Sequence, residues 1–241
     1  MTLVWVHVRA ATLELLRYPS FSVPTLLFPT VLFLAWGSRT GVPANLALAS
    51  YAAFAVLGVA FFQFGVGIAA ERASPWHVFL RTLPVSATVR FAARTVSALI
   101  FALGSAALLV AVALGTTSVA LGEGEWAGFV ATLLVGAVPF SLLGIAIGYW
   151  LTPRGALPVA NILFLGLAYL GGLLGGARDL PSELGGLSGL LPTRLWGELL
   201  AASVGFGDWR AVNALGLVAY GAAFALLAAW GYRRDEGERF R

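Results

Sequence analysis

Residues Leu46–Ala70 contain no charged side chain, and this run most constrains what the chain can fold into. A helix needs about 20 apolar residues to cross the hydrocarbon core of a bilayer, where every backbone polar group must be satisfied within the protein. Comparable apolar runs recur along the sequence. We therefore predict six membrane-spanning helices, at about residues 21–36, 46–70, 91–119, 127–151, 156–174 and 211–232.

The composition agrees with a protein that crosses the membrane several times. Hydrophobic residues make up 59% of the 241 residues and charged residues 11%, and the mean hydropathy is +0.88. These values are too apolar for a soluble domain. The predicted fold class is an all-α membrane protein in which residues 1–241 form a single transmembrane domain.

Three other segments are too polar or too interrupted to cross. Residues 3–17 are amphipathic and carry His7, Arg9 and Glu14, which predicts an interfacial helix along the membrane surface. Prolines and glycines interrupt residues 177–210, so no full crossing is expected there. The charged tail, residues 233–241, is expected to fray.

Arginines are concentrated at one set of helix ends. That set holds Arg9, Arg17, Arg72, Arg81, Arg90, Arg94, Arg154, Arg233, Arg234, Arg239 and Arg241, and the other set holds Arg39, Arg178, Arg194 and Arg210. Because cytoplasmic loops of membrane proteins are enriched in basic residues, both termini are predicted in the cytoplasm. A multi-pass protein of the inner (cytoplasmic) membrane is expected. The net charge of +4 is explained by this topology, so no nucleic-acid partner is predicted.

Missing residue types exclude several kinds of chemistry. The chain has no cysteine, which excludes disulfides and thiol catalysis. It also has no lysine, and a P-loop needs its lysine to reach the nucleotide phosphates, so any ATP must bind to another subunit. The apolar cores hold no ionisable residue, which argues against an ion-coupled carrier or an embedded enzyme. No catalytic residue or metal site is predicted, since His7 and His77 have no third ligand at metal spacing.

The stretch between the second and third predicted spans indicates a short helix at residues 74–83. Ser74 and Pro75 have the residue types of a helix start, and Pro84 ends the run. His77 and Arg81 share one face. The apolar face is formed by residues at helical spacing, Trp76, Phe79, Leu80 and Leu83. The helix either docks a partner or lies in the lipid interface, and periodicity alone slightly favours the interface.

The predicted spans hold few polar side chains. Gln63, Asn161 and Tyr169 are the candidate residues of a substrate pathway. A pathway with this lining suits an apolar or amphipathic cargo better than a small ion. Glycine pairs in the spans predict close packing between helices, at Gly65 and Gly67 and at Gly144 and Gly148.

The order of these segments resembles the type-2 ATP-binding-cassette (ABC) exporter permeases, the membrane subunits of drug, lipid and polysaccharide exporters. The specific part is Glu71-Arg72 followed by Leu80, Thr82-Leu83-Pro84 and Val85-Ser86. Where the family usually has Gly-Thr-Leu after Glu-Arg, this chain has Pro75-Trp76-His77. Residues 180–200 are similar to the family's extracellular re-entrant helices, most clearly at Pro192 and Trp196.

The resemblance implies that residues 74–83 are a cytoplasmic coupling helix seated on an ABC ATPase subunit, which holds the ATP and Mg²⁺. The implied contact residues are Glu71, Arg72, Trp76, His77, Phe79, Leu80, Arg81 and Leu83. Among them, Glu71 and Arg72 would orient the helix against the second span, and Arg81 would pair with an acidic group. A second permease copy or paralogue and membrane lipid are the other implied partners. The chain itself would not be an enzyme.

Two other classes of function remain open on the sequence. One is a scaffold or sensor in the membrane that binds a cytoplasmic partner without transporting anything. The other is an ion-independent facilitator or membrane-embedded lipid enzyme, which would need a polar or ionisable cluster at depth. The gene neighbourhood discriminates them, because a P-loop ATPase encoded next to this chain favours the exporter.

Overall fold

The computed structural model describes residues 2–17, 19–37, 41–74, 87–174 and 182–238. All regular elements in these ranges are helices. In chain order they are α1 (Thr2–Leu16), α2 (Pro19–Leu32), α3 (Ala44–Val59), α4 (Gly67–Arg72), α5 (Ala87–Thr116), α6 (Glu123–Trp150), α7 (Pro153–Leu170), α8 (Ser182–Ser188), α9 (Pro192–Ser203) and α10 (Ala211–Glu238). Two π-helical segments continue regular helices, at Phe33–Gly37 after α2 and at Ala60–Val66 between α3 and α4.

A continuous helix of α3, the π segment Ala60–Val66 and α4 forms the centre of the bundle. Its most apolar stretch is 78% buried, more than that of any other candidate span in the described residues. Helices α1, α2 and α5 pack together on one side, and α6, α7, α9 and α10 pack on the other. An entirely apolar helix must be surrounded by other helices or by lipid, and here it is surrounded by helices.

Glycines let α6 cross the central helix closely. A Cβ atom built on Gly144 would lie 2.1 Å from the carbonyl oxygen of Ala60, and one on Gly148 would lie 2.6 Å from Cβ of Ile68. A Cβ on Gly65 would lie 3.3 Å from Ile147. The predicted close packing is confirmed at Gly65, Gly144 and Gly148.

Five helices in the described residues are long and apolar enough to cross a membrane: Ala44–Arg72, Thr95–Thr116, Glu123–Trp150, Pro153–Leu170 and Ala211–Asp235. The first predicted span corresponds to a shorter apolar helix, Ser22–Gly37. It contains Pro24 and Pro29, each of which removes a backbone donor from a helix interior. The all-helical membrane fold is therefore supported, and a count of six spans stays a prediction.

The described part of residues 177–210 forms two short helices rather than one span. The indole N–H of Trp196 on α9 donates to the carbonyl oxygen of Thr132 at 2.9 Å, and its fully buried ring packs on Phe140 with centroids 5.1 Å apart. The Thr193 hydroxyl donates to the carbonyl oxygen of Leu167 at 2.7 Å. These contacts fix α9 against α6 and α7.

The last helix differs from the prediction. We expected the final span to stop near Tyr232 and the charged tail to fray, but α10 continues to Glu238. Asp235 is buried there, because it forms an ion pair with Arg72 at the end of α4. The prediction that the tail frays is therefore wrong for residues 233–238. The physical reason is that Asp235 has a partner, Arg72, more than 160 residues away in the sequence.

The two ends of the bundle differ in charge. One end, called the basic end below, holds the ends of α4, α6 and α10 and the start of α7, with Arg72, Arg154, Arg233 and Arg234. The opposite end holds the starts of α3 and α6, where the Asn45 side-chain amide donates to the carbonyl oxygen of Ala120 at 2.9 Å. Residues 75–86 follow the basic end of the central helix in the sequence.

Candidate functional site

A cavity of about 690 Å³ lies beside the central helix and is partly open. One wall comes from α1, α2 and α5, and the other comes from the central helix and α7. Most of the lining is apolar, and its largest members are four phenylalanines, Phe28, Phe54, Phe62 and Phe164. A volume of this size is in the range of small-molecule sites in proteins.

Phe164 of α7 organises the aromatic part of the lining. Its ring centroid lies 4.6 Å from that of Phe54 and 5.4 Å from that of Phe62. Gly58 faces the same ring, because a Cβ at this position would lie 3.6 Å from it. The rings support one another in tilted and edge-to-face arrangements, which are favourable for aromatic pairs.

Two of the three predicted pathway residues line this cavity. Gln63, which is 3% exposed, is in the π segment of the central helix, and Asn161 is on α7. The Asn161 amide donates to the carbonyl oxygen of Leu157 at 3.1 Å, one turn back in its own helix. Tyr169 is on the same helix, but it is 48% exposed and is outside the lining.

The π segment forms part of the cavity wall. A π turn accommodates an extra residue and occurs often at functional positions of helices. Here Phe62, Gln63 and Val66 belong to the π segment and to the lining at once. The distortion therefore lies in the part of the central helix that faces the cavity.

Glu71 lies at the basic end of the cavity and is the ionisable member of its described lining. Ser97 and Thr25 add hydroxyl groups to the wall formed by α5 and α2. The cavity thus combines a long apolar body with a few polar groups. An amphipathic molecule has a matching distribution of apolar and polar surface.

Arg72, the next residue, joins three helix ends. Its Nε atom donates to Oδ1 of Asp235 on α10 at 2.8 Å, and its Nη2 atom donates to the same carboxylate oxygen. Its Nη1 atom donates to the carbonyl oxygens of Gly148 at 2.8 Å and of Tyr149 at 3.0 Å, at the end of α6. We call Arg72, Asp235 and these two carbonyl groups the helix clasp.

The helix clasp is electrostatically favourable and largely shielded from water. The last carbonyl groups of a helix form the negative end of its dipole, so a guanidinium group there is stabilised. Only 20% of the Arg72 side chain and 8% of the Asp235 side chain are exposed. The ring of Tyr149 lies under the guanidinium at 5.6 Å and meets Tyr232 edge-on at 5.3 Å.

The predicted ATPase-contact residues are divided between described and undescribed parts of the chain. Glu71 and Arg72 are described, and both are at the end of the central helix. The others lie in residues 75–86, outside the described residues. They are Trp76, His77, Phe79, Leu80, Arg81 and Leu83. The coupling helix therefore stays a prediction.

Asp235 is the site residue that the sequence reasoning missed. Asp235 continues the buried face of α10 formed by Leu217, Ala228 and Gly231, which the structure reveals. The last three positions have helical spacings of three and four residues. A carboxylate at the next buried position indicates a partner inside the bundle rather than a solvated tail.

The described residues contain no cluster of three or more histidines, cysteines, aspartates or glutamates that could hold a metal ion. What the arrangement offers instead is a mostly apolar cavity next to an ion pair that joins helices. The chemistry of this lining suits an amphipathic molecule.

The sequence is similar to a named permease over nearly its whole length. It is 26% identical over 230 residues to "Putative transport permease YvfS" of Bacillus subtilis (strain 168), and the match covers 92% of this chain and 94% of that protein. No protein-family model matches the chain. Together with the apolar helices, this similarity supports a multi-pass membrane protein of the transport-permease type.

Proposed function

We propose that this chain is the membrane-spanning permease subunit of an ATP-driven ABC exporter, which moves an apolar or amphipathic substrate out of the cytoplasm by alternating access. The observation that carries the proposal is the 690 Å³ cavity between membrane-spanning helices. Its aromatic lining suits a hydrocarbon or ring system, and its few polar groups suit a small head group.

The energy source is proposed to be a separate ATPase. The sequence has no lysine with which to build a P-loop, so ATP and Mg²⁺ would be held by the partner subunit and the chain itself would catalyse no reaction. Residues 74–83, with the pattern of a coupling helix, follow the central helix that forms a wall of the cavity. Movement of this segment would reach the cavity through one continuous helix.

The topology that follows from this proposal places the basic end in the cytoplasm. The arginines of this end obey the positive-inside bias, and the ATPase would bind there. A second copy or a paralogue would complete the transport pathway, since the cavity is only partly enclosed by this chain.

The proposal is tested by co-expressing the tagged chain with the ATPase encoded nearest to it in its own genome. We expect the two proteins to co-purify, and we expect amphipathic compounds to stimulate ATP hydrolysis by the complex. Neutral, cationic and anionic amphiphiles of equal chain length are the probes. A chain that purifies alone, with an ATPase indifferent to its presence, would indicate a scaffold or sensor instead.

A pair of matched variants links the activity to the cavity. Gly58→Leu adds a branched side chain next to Phe164 on the cavity wall, whereas Gly166→Leu adds the same group where nothing lies within 4 Å of the new Cβ. Gly58→Leu should abolish stimulation by amphiphiles and leave co-purification intact, and Gly166→Leu should preserve both. Equal stimulation in the two variants would contradict the assignment of this cavity as the substrate site.

A further inference from the structure

The helix clasp has a mechanical consequence that rests on the proposed function and extends it. We propose that Arg72 and Asp235 are positioning residues for energy coupling. In this proposal they make the ends of α4, α6 and α10 move as one unit when residues 75–86 are displaced. The clasp thereby converts a displacement at the basic end into a change in the width of the cavity.

Arg72 lies where the central helix meets the segment of residues 75–86. It is the last residue of α4, so a displacement of this segment enters the central helix next to Arg72. Its guanidinium group bonds to α10 through Asp235 and to α6 through two backbone carbonyl groups. A displacement of α4 is therefore transmitted to both neighbouring helices by hydrogen bonds.

The hydrogen bonds of the clasp are charge-assisted. Each pairs the cationic guanidinium with a carboxylate or with a carbonyl group at the negative end of a helix, and charge-assisted bonds are roughly twice as strong as neutral ones. Because both side chains are mostly buried, loss of either partner leaves the other charge uncompensated. The planar fork of an arginine can hold three acceptors in fixed directions, which a lysine cannot.

The cavity is next to the joined helices. The cavity lies between α1, α2 and α5 on one side and the central helix and α7 on the other. The clasp joins α4, α6 and α10. Helix α6 also packs along the π segment that carries Gln63. When the joined helices move together, the wall that carries Gln63 moves relative to the wall that carries Phe28 and Ser97.

The test compares transport with ATP hydrolysis in the reconstituted complex of this chain and its ATPase. The variants are Asp235→Asn, which removes the charge but keeps the shape, and Arg72→Lys, which keeps the charge but removes the fork. The control is Arg233→Gln, a charge change at an exposed position of the same helix. The probe is the amphiphile that stimulates the unmodified complex most.

Uncoupling is the expected result. Asp235→Asn should bind the ATPase and hydrolyse ATP at rates within about twofold of the unmodified complex, but the amount transported per ATP should fall at least ~5-fold, the lower range of typical coupling effects. The amount transported per ATP should also fall in Arg72→Lys. Arg233→Gln should leave this ratio unchanged. An unchanged ratio in Asp235→Asn would overturn the proposal.

A distance measurement tests the same claim without transport. Because the chain has no cysteine, spin labels can be attached to Ala73→Cys and Arg233→Cys, both at exposed positions next to the clasp. The distance between the labels within one chain should be the same with and without ATP, and its distribution should broaden in Asp235→Asn. A distance that changes with ATP in the otherwise unmodified chain would overturn the proposal.

The remaining outcomes are also decisive. If Asp235→Asn does not yield folded protein, Asp235→Glu replaces it in the test, because it keeps the charge but displaces the carboxylate. A smaller fall in the amount transported per ATP is then expected. Normal coupling in Asp235→Glu and in Arg72→Lys would then reject the proposal. Failure of the proposed function has a different signature, because the unmodified chain would then not co-purify with an ATPase at all.

Discussion

Replacement of Gly144 by alanine should destabilise the bundle, although alanine is the better helix former. Gly144 is in α6 at its crossing with the central helix, and the added Cβ would lie 2.1 Å from the carbonyl oxygen of Ala60. Backbone atoms cannot move aside as a flexible side chain can. The two helices must therefore separate by about 1 Å, and overpacking of this kind costs about 1–3 kcal/mol.

The comparison with a second glycine isolates this cost. Gly166 is inside α7, and a Cβ there would meet nothing within 4 Å. Both substitutions gain about 0.5–1 kcal/mol from the conformational restriction of alanine, so their difference is the packing term alone. At roughly 2–4 °C per kcal/mol for a chain of this size, Gly144→Ala should unfold about 2–12 °C below Gly166→Ala.

The measurement is thermal unfolding of the purified proteins in one detergent, followed by the fluorescence of the eight tryptophans. Gly166→Ala should unfold at or above the temperature of the unmodified chain, and Gly144→Ala below it. If Gly144→Ala is as stable as Gly166→Ala, then the close crossing of α6 and the central helix is not a feature of the folded protein.

Three further substitutions test the contacts at the helix ends. Trp196→Ala removes a fully buried ring that packs on Phe140 and should cost about 3–5 kcal/mol, measured as a loss of thermal stability in detergent. Thr193→Val removes the hydroxyl that donates to the Leu167 carbonyl group and should cost about 0.5–1.5 kcal/mol in the same assay. Thr152→Ala removes the N-cap of α7 and should cost ~1 kcal/mol, so increased hydrogen exchange confined to the first turn of α7 is expected.

The membrane class and the main helices could be predicted from the sequence because they depend on local properties. An uncharged run such as residues 46–70 has few alternatives to a buried helix in a bilayer. The structure contains that helix as Ala44–Arg72. Glycines at positions 65, 144 and 148 indicated close packing for a similarly local reason, since only a residue without a side chain permits it.

The clasp could not be predicted in the same way, because it joins residues that are distant in the sequence. Arg72 was assigned to orient a coupling helix, and Asp235 was placed in a frayed tail. Neither assignment could reveal that the two side chains meet. The charge content of a segment indicates whether it is exposed to water, but it does not identify a contact with a distant residue. Of the three residues chosen as pathway candidates, Gln63 and Asn161 line the cavity and Tyr169 does not.

The π segment was also outside the reach of the sequence pattern. Residues 60–66 are uniformly apolar except for Gln63, and a continuous apolar run has no periodicity from which a change in helical geometry could be detected. The extra residue in this turn alters which side chains face the cavity. The choice of Gln63 as a pathway residue therefore depended on its polarity and not on a predicted orientation.

The central claim is that a separate ATPase energises movement of a substrate through this chain. The direct measurement is uptake of the stimulating amphiphile into liposomes in which the complex of the chain and its ATPase is oriented with the ATPase outside. Uptake is compared with ATP, with a hydrolysis-deficient ATPase, and with an imposed proton gradient alone. Uptake is expected only with ATP and the active ATPase. Uptake driven by the proton gradient in liposomes that contain this chain alone would contradict it.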